Sequence, residues 1–187
     1  MDNFETLKND CLACTACELC KTRHNVVIGD GNEKSRIMFI GEGPGETEDL
    51  QGLPFVGKAG QLLDLMLELI GLDRTKIYIC NIVKCRPPAN RDPSSEERSA
   101  CISLLKRQIA LIKPEIIVCL GRISATELID KDFKITKDHG QWLYLDGIKF
   151  MATYHPSALL RDESKRPEAF EDFQKIRAEI RKISSST

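Results

Sequence analysis

Apolar residues recur in two rhythms along this chain. Short unbroken runs, Arg36–Ile40, Ile77–Asn81 and Glu115–Leu120, are bounded by polar or glycine-bearing turns and predict strands buried on both faces. The first is entered from a polar turn, GDGNEKS, and left at glycines. Between the runs the period lengthens. Apolar residues at 62, 63, 66, 67 and 70 mark an amphipathic helix over 57–70, stopped by Gly71. Ser94 or Ser95, with Glu97 close behind, opens another helix that runs to about Lys113, before Pro114. A further helix follows Gly121 as far as Ile129, and a charged one from about Pro167 to Ile183 leads into a frayed serine tail. Residues 141–154 predict a hairpin turning at Asp146-Gly147.

Strands alternating with helices predict an α/β fold: three layers, α/β/α, around a central, mostly parallel four-stranded sheet. Right-handed crossovers bring the C-terminal ends of parallel strands to one edge, where open α/β sheets bind their ligands. Those ends carry Gly41-Glu42-Gly43-Pro44-Gly45, then Asn81 with Lys84-Cys85-Arg86, then Gly121-Arg122, then Tyr154-His155-Pro156-Ser157. His155, stiffened by Pro156 and facing Glu42 and Asn81 across the edge, is a catalytic candidate. GEGPGE does not make a dinucleotide site. Its third glycine is misplaced, Pro44 removes a backbone donor, and a loop over Glu46–Val56 stands where a helix would have to start.

The 187 residues fit one domain, 1–187, and 27 Lys+Arg against 28 Asp+Glu exclude the strongly basic kind of nucleic-acid binder while allowing a local basic patch. No apolar run approaches the roughly 20 residues of a membrane span, and the polar N-terminus is no signal peptide, so a cytoplasmic protein with no membrane partner is expected. Eight cysteines are unusual there, and in a reducing compartment they point to metal binding or catalysis rather than disulfides. Cys80 and Cys119 lie inside apolar strands and read as small buried hydrophobes. Cys11, Cys14, Cys17, Cys20, Cys85 and Cys101 stand in polar surroundings. The N-terminal spacing misses the ferredoxin pattern by one residue and lacks its proline, and no second C-x-x-C pair completes a zinc ribbon. One C-x-x-C with Cys85 and Cys101 suits either a [4Fe–4S] cluster or a four-cysteine zinc site, which spacing does not separate.

Four ordered blocks, GEGPGETED (41–49), GLPFVGKAGQLLD (52–64), NIVKCRPPANRDP (81–93) and YHPSALLR (154–161), together with CTACELCKTR (14–23), resemble the family 4, iron–sulfur uracil-DNA glycosylases across nearly the whole chain. The resemblance implies a [4Fe–4S] cluster on Cys14, Cys17, Cys85 and Cys101, with residues 1–24 as the cluster-binding segment and Cys11 and Cys20 extra to the pattern. It implies a monomeric repair enzyme that flips uracil out of single- or double-stranded DNA and hydrolyses its glycosidic bond. Gly41, Glu42 and Gly43 would line the base pocket, Phe55 would stack, Asn81 would pair with the uracil edge, and Glu42 and His155 would be catalytic. Glu48 would exclude a 5-methyl group. Lys84, Arg86, Ser157 and Arg161 would contact DNA, with Leu159 and Leu160, in an exposed loop, filling the gap left by the flipped base. Two other readings account for the cysteines: an iron–sulfur electron-transfer protein, which leaves Asn81 and His155 without a purpose, and a non-catalytic DNA-binding module built on zinc.

Overall fold

The computed structural model describes residues 2–184; the serine tail expected at 185–187 lies outside the described residues. In chain order the main elements are α1 (Phe4–Ala13), β1 (Asp30–Gly31), β2 (Ile37–Gly41), α2 (Glu46–Gln51), α3 (Lys58–Leu69), β3 (Tyr78–Asn81), α4 (Ser95–Ile112), β4 (Ile116–Leu120), α5 (Arg122–Leu128), α6 (Ile135–Asp138), β5 (Leu143–Leu145), β6 (Ile148–Thr153), α7 (Pro156–Arg161) and α8 (Arg166–Ser184). The described strands form a sheet ordered β1-β3-β2-β4-β6-β5. Its inner four are parallel, as the sequence predicts, and β1 and β5 extend it by antiparallel pairing at the two edges. The two residues of β1 come from the segment read as a polar turn, captured by Tyr78 and Ile79.

The unbroken apolar runs are explained by burial on both faces. Met38, Ile40, Cys80, Ile117 and Cys119 point toward Leu7 and Cys11 of α1 and Leu104 and Leu105 of α4. Ile37, Phe39, Ile79, Ile116 and Val118 point the other way, onto Leu63 and Leu67 of α3 and Phe173 and Ile176 of α8. This is the expected three-layer arrangement. Ser94 caps α4 in a reciprocal capping box with Glu97. Asp146 and Gly147 both take positive φ in the β5–β6 turn. Among the described residues no helix is long and apolar enough to cross a membrane.

Two expectations need correction. Glu46–Val56 is not wholly a loop, because α2 starts directly at Glu46 with Gly45 at its N-cap and ends on Gly52 in the left-handed region. Residues 156–161 form α7, with Pro156 at its first position and His155 as its N-cap.

Candidate active site

A cleft of about 700 Å³ opens at the C-terminal ends of the parallel strands, between the loops after β2, β3, β4 and β6. Gly41 ends β2 opposite Asn81, which ends β3. A Cβ on Gly41 would stand 2.5 Å from both Asn81 Oδ1 and the Phe55 ring, so only glycine lets these three meet. Phe55 itself is held in the left-handed region, at φ 54°. Arg74 fixes it there by donating to the carbonyls of Pro54 and Phe55. Gly60 gives the loop room, since a Cβ there would fall 1.7 Å from the Phe55 carbonyl oxygen. The Phe55 and His155 rings lie 5.6 Å apart, tilted by 31°, as adjoining walls.

Asn81 is 1% exposed. Among the described residues its Oδ1 is the buried side-chain polar atom left without a hydrogen-bond partner. A buried orphan acceptor carries a desolvation cost of about 1–3 kcal/mol, which a ligand N–H would remove.

The environment of His155 selects its proton position. The Ser157 backbone N–H (3.1 Å) and hydroxyl (2.7 Å) both face Nδ1, so the neutral ring carries its hydrogen on Nε2. Burial first, and then the Arg161 charge, push the imidazole pKa down to about 4. Glu42 moves the opposite way. Burial, then the negative charge of Asp92 and a hydrogen bond between the two carboxyls, raise it to about 7, against the pull of Arg122 and Arg161. Arg122 also holds Asp92 at 2.8 Å. Glu48 braces the loop that carries Phe55, its Oε1 accepting from the amides of Val56 (2.9 Å) and Gly57 (2.8 Å).

On the other side of β3, Cys11, Cys14, Cys17, Cys20, Cys85 and Cys101 line one cavity with Arg23 and Lys84. All are free thiols. Arg23 Nη1 donates to Cys85 Sγ at 3.2 Å. Arg107 of α4 clamps the N-terminal segment through Asp2, ahead of α1, and Asp10 within it, both at 2.7 Å, and so docks the cysteine-rich segment. Among the described residues no three metal-binding side chains converge on a single ion position; the thiols surround a space instead.

The family model that matches this chain, over residues 28–181, describes the uracil DNA glycosylase superfamily. A type-4 uracil-DNA glycosylase of Thermotoga maritima is 49% identical over 90% of this chain and 90% of its own length. Type-4 enzymes of Sulfurisphaera tokodaii (47% identical, 95% of this chain, 84% of theirs) and Archaeoglobus fulgidus (45%, 94% and 92%) are similar to it as well. The chain belongs to the uracil-DNA glycosylase superfamily, in its type-4 family.

The superfamily match begins after the four N-terminal cysteines and contains Cys85, Cys101 and the whole strand-end cleft. Of the residues singled out in this type-4 sequence, Glu42, Gly43, Glu48, Phe55, Asn81, His155, Ser157 and Arg161 line that cleft, and Gly41 packs behind it. Arg86 is half-buried at its border, donating to Asn90 at 2.7 Å. Two residues do not stand where the sequence reading put them. Lys84 is 1% exposed, its ammonium turned inward onto the Asn81 carbonyl and Gln108, so it cannot reach DNA phosphate. Leu159 is also 1% exposed, on the inner face of α7 against Tyr154 and Ala169, so it cannot enter a base stack; Leu160, beside it, is the exposed leucine. Conversely, Asp92 and Arg74 shape the site without having been singled out. Asp92 sits in a quoted block but no local pattern distinguishes it, and the role of Arg74 depends on a loop about 20 residues away.

Proposed function

We propose that this type-4 uracil-DNA glycosylase binds uracil flipped out of single- or double-stranded DNA and hydrolyses the bond from C1′ to N1, releasing free uracil and leaving an abasic site. The unpartnered Asn81 Oδ1 carries the reading. Paired with uracil N3–H while the Asn81 amide donates to O4, it is satisfied by uracil and opposed by cytosine, whose edge reverses both groups. Phe55 stacks on the base, and Glu48, on the wall beside it, is the group a 5-methyl substituent would meet.

As the bond breaks, its electron pair passes to uracil N1 and negative charge spreads onto O2, where His155 Nε2–H donates. Water adds to C1′ and gives its proton to Glu42. Arg161 and Arg86 provide phosphate contacts at the rim. The groups named above complete a pocket within one chain, and a monomer is proposed as the acting form. Cys14, Cys17, Cys85 and Cys101 would hold a [4Fe–4S] cluster, for which the all-thiol donor set around one cavity is suited. When bound, that group supplies iron–thiolate bonds that staple the N-terminal segment to β3 and α4.

The direct test incubates the protein with single- and double-stranded oligonucleotides carrying one uracil. Free uracil is the expected product; none from either substrate overturns the proposal. Asn81→Asp is expected to lower uracil excision at least about tenfold, the loss of one hydrogen bond, and to gain activity on cytosine. Parallel single-turnover assays on the two bases check this.

The Glu42 role predicts a pH profile. Only ionised Glu42 accepts the water proton, so the excision rate rises as pH passes through about 7, while His155, with a pKa of about 4, stays neutral. Asp92→Asn removes the negative neighbour that opposes ionisation, so the rise moves to lower pH. A profile identical to that of the parent would detach Asp92 from Glu42.

A further inference from the structure

Lys84 is out of place for a lysine. It is among the largest fully buried side chains, and among the described residues no carboxylate pairs with it. Its Nζ donates to the main-chain oxygen of Asn81 at 2.8 Å and to Gln108 Oε1. Gln108 is fixed in turn, its Nε2 donating to Ile28 O (2.9 Å) and Tyr78 Oη (3.1 Å). The third ammonium direction is within reach of Cys80 Sγ, and the Lys84 backbone N–H donates to Cys101 Sγ. The side chain also lines the cysteine cavity.

Burying an ammonium against neutral oxygens alone is costly, several kcal/mol after relaxation. An anionic neighbour offsets that cost. Four thiolates outnumber the positive charge of an iron–sulfur core, so a cluster in this cavity is such a neighbour, with Cys101 directly hydrogen-bonded to the Lys84 main chain. The same ammonium grips the carbonyl of the residue that reads uracil. One side chain therefore touches both sites, at the end of the three residues Ile82–Lys84 that separate Asn81 of the uracil pocket from Cys85.

We infer that Lys84 is a positioning residue shared by the two sites: it sets the charge against which the cluster sits, and it fixes the strand end that aims Asn81 into the base pocket. This rests on reading the cavity as a cluster site. Buried charge and hydrogen bonds near the sulfurs tune cluster potential, and loss of an outer partner commonly changes affinity or activity 10–100-fold.

The test begins with the parent protein, measuring iron and sulfide content and the cluster midpoint potential by spectroelectrochemistry. Lys84→Met, similar in length but uncharged, should retain iron, shift the midpoint to lower potential because the reduced, more negative cluster loses its cation, and weaken inhibition by free uracil about tenfold. Lys84→Arg, which keeps the charge, should restore the potential. If Lys84→Met does not fold, Gln108→Glu serves: its carboxylate neutralises the ammonium in place and should move the potential the same way. A parent without iron overturns the cluster reading, and this inference with it. A parent with iron whose midpoint is unchanged in Lys84→Met, or in Gln108→Glu where that variant decides, overturns this inference and leaves the cluster reading intact.

Discussion

His155→Ala is expected to slow single-turnover uracil excision roughly 10²–10³-fold, on the order of 3–4 kcal/mol, while binding of abasic product DNA changes little. The asymmetry follows from when the hydrogen bond matters. Uracil O2 is a weak acceptor in the substrate and a strong one in the departing anion, so an Nε2–H aimed at it acts mainly in the transition state. The structure prepares that donor in two ways. Ser157 occupies Nδ1 and leaves the hydrogen on Nε2, and burial pushes the pKa down to about 4, so the ring is neutral near neutral pH. Ser157→Ala removes the hydroxyl but keeps the backbone N–H, so it should cost much less than His155→Ala. Single-turnover rates at saturating enzyme, with product affinity measured separately, check both variants. A His155→Ala enzyme with weakened affinity and an unchanged saturated rate would make the histidine a DNA anchor instead.

What could be read from the chain depended on whether the cause was local. The buried runs of β2, β3 and β4, the Ser94–Glu97 capping box and the Asp146-Gly147 turn are each settled by neighbours within a few residues, and each stands where the sequence put it. The strand ends followed from topology, so Gly41, Asn81 and His155 were legible as one site before any coordinates. Failures came from long-range partners. Lys84 reads as a surface cation until Gln108, 24 residues on, and the Asn81 carbonyl draw its ammonium inward. Leu159 reads as exposed because six residues after His155 carry too little periodicity to mark a helix; the capping of α7 by His155 turns one leucine in and the other out. The start of α2 was hidden behind Pro44-Gly45, which read as a turn yet leads straight into helix. Asp92 shows its influence on Glu42 only once two loops meet.

Cys101→Ala is expected to abolish iron binding and to lower the unfolding midpoint sharply, whereas Cys11→Ala should keep its iron. Both thiols line the same cavity, yet their supports differ. Cys101 projects from α4 and accepts from the Lys84 backbone, next to Cys85, which accepts from Arg23. Cys11 is wholly buried in the apolar layer between α1 and the sheet, where it packs as a small hydrophobe. Burial raises the pKa of both Cys11 and Cys85 to about 11, so neither is a thiolate by itself near neutral pH. Arg23 donates to the Cys85 sulfur, a contact placed to support a ligating thiolate. Because binding to a site absent from the unfolded chain adds its free energy to folding, removing one ligand costs stability as well as metal. Iron analysis, absorbance near 400 nm and thermal unfolding of the two variants make the comparison. If Cys11→Ala lost iron while Cys101→Ala retained it, the ligand set would have to be redrawn around the first helix.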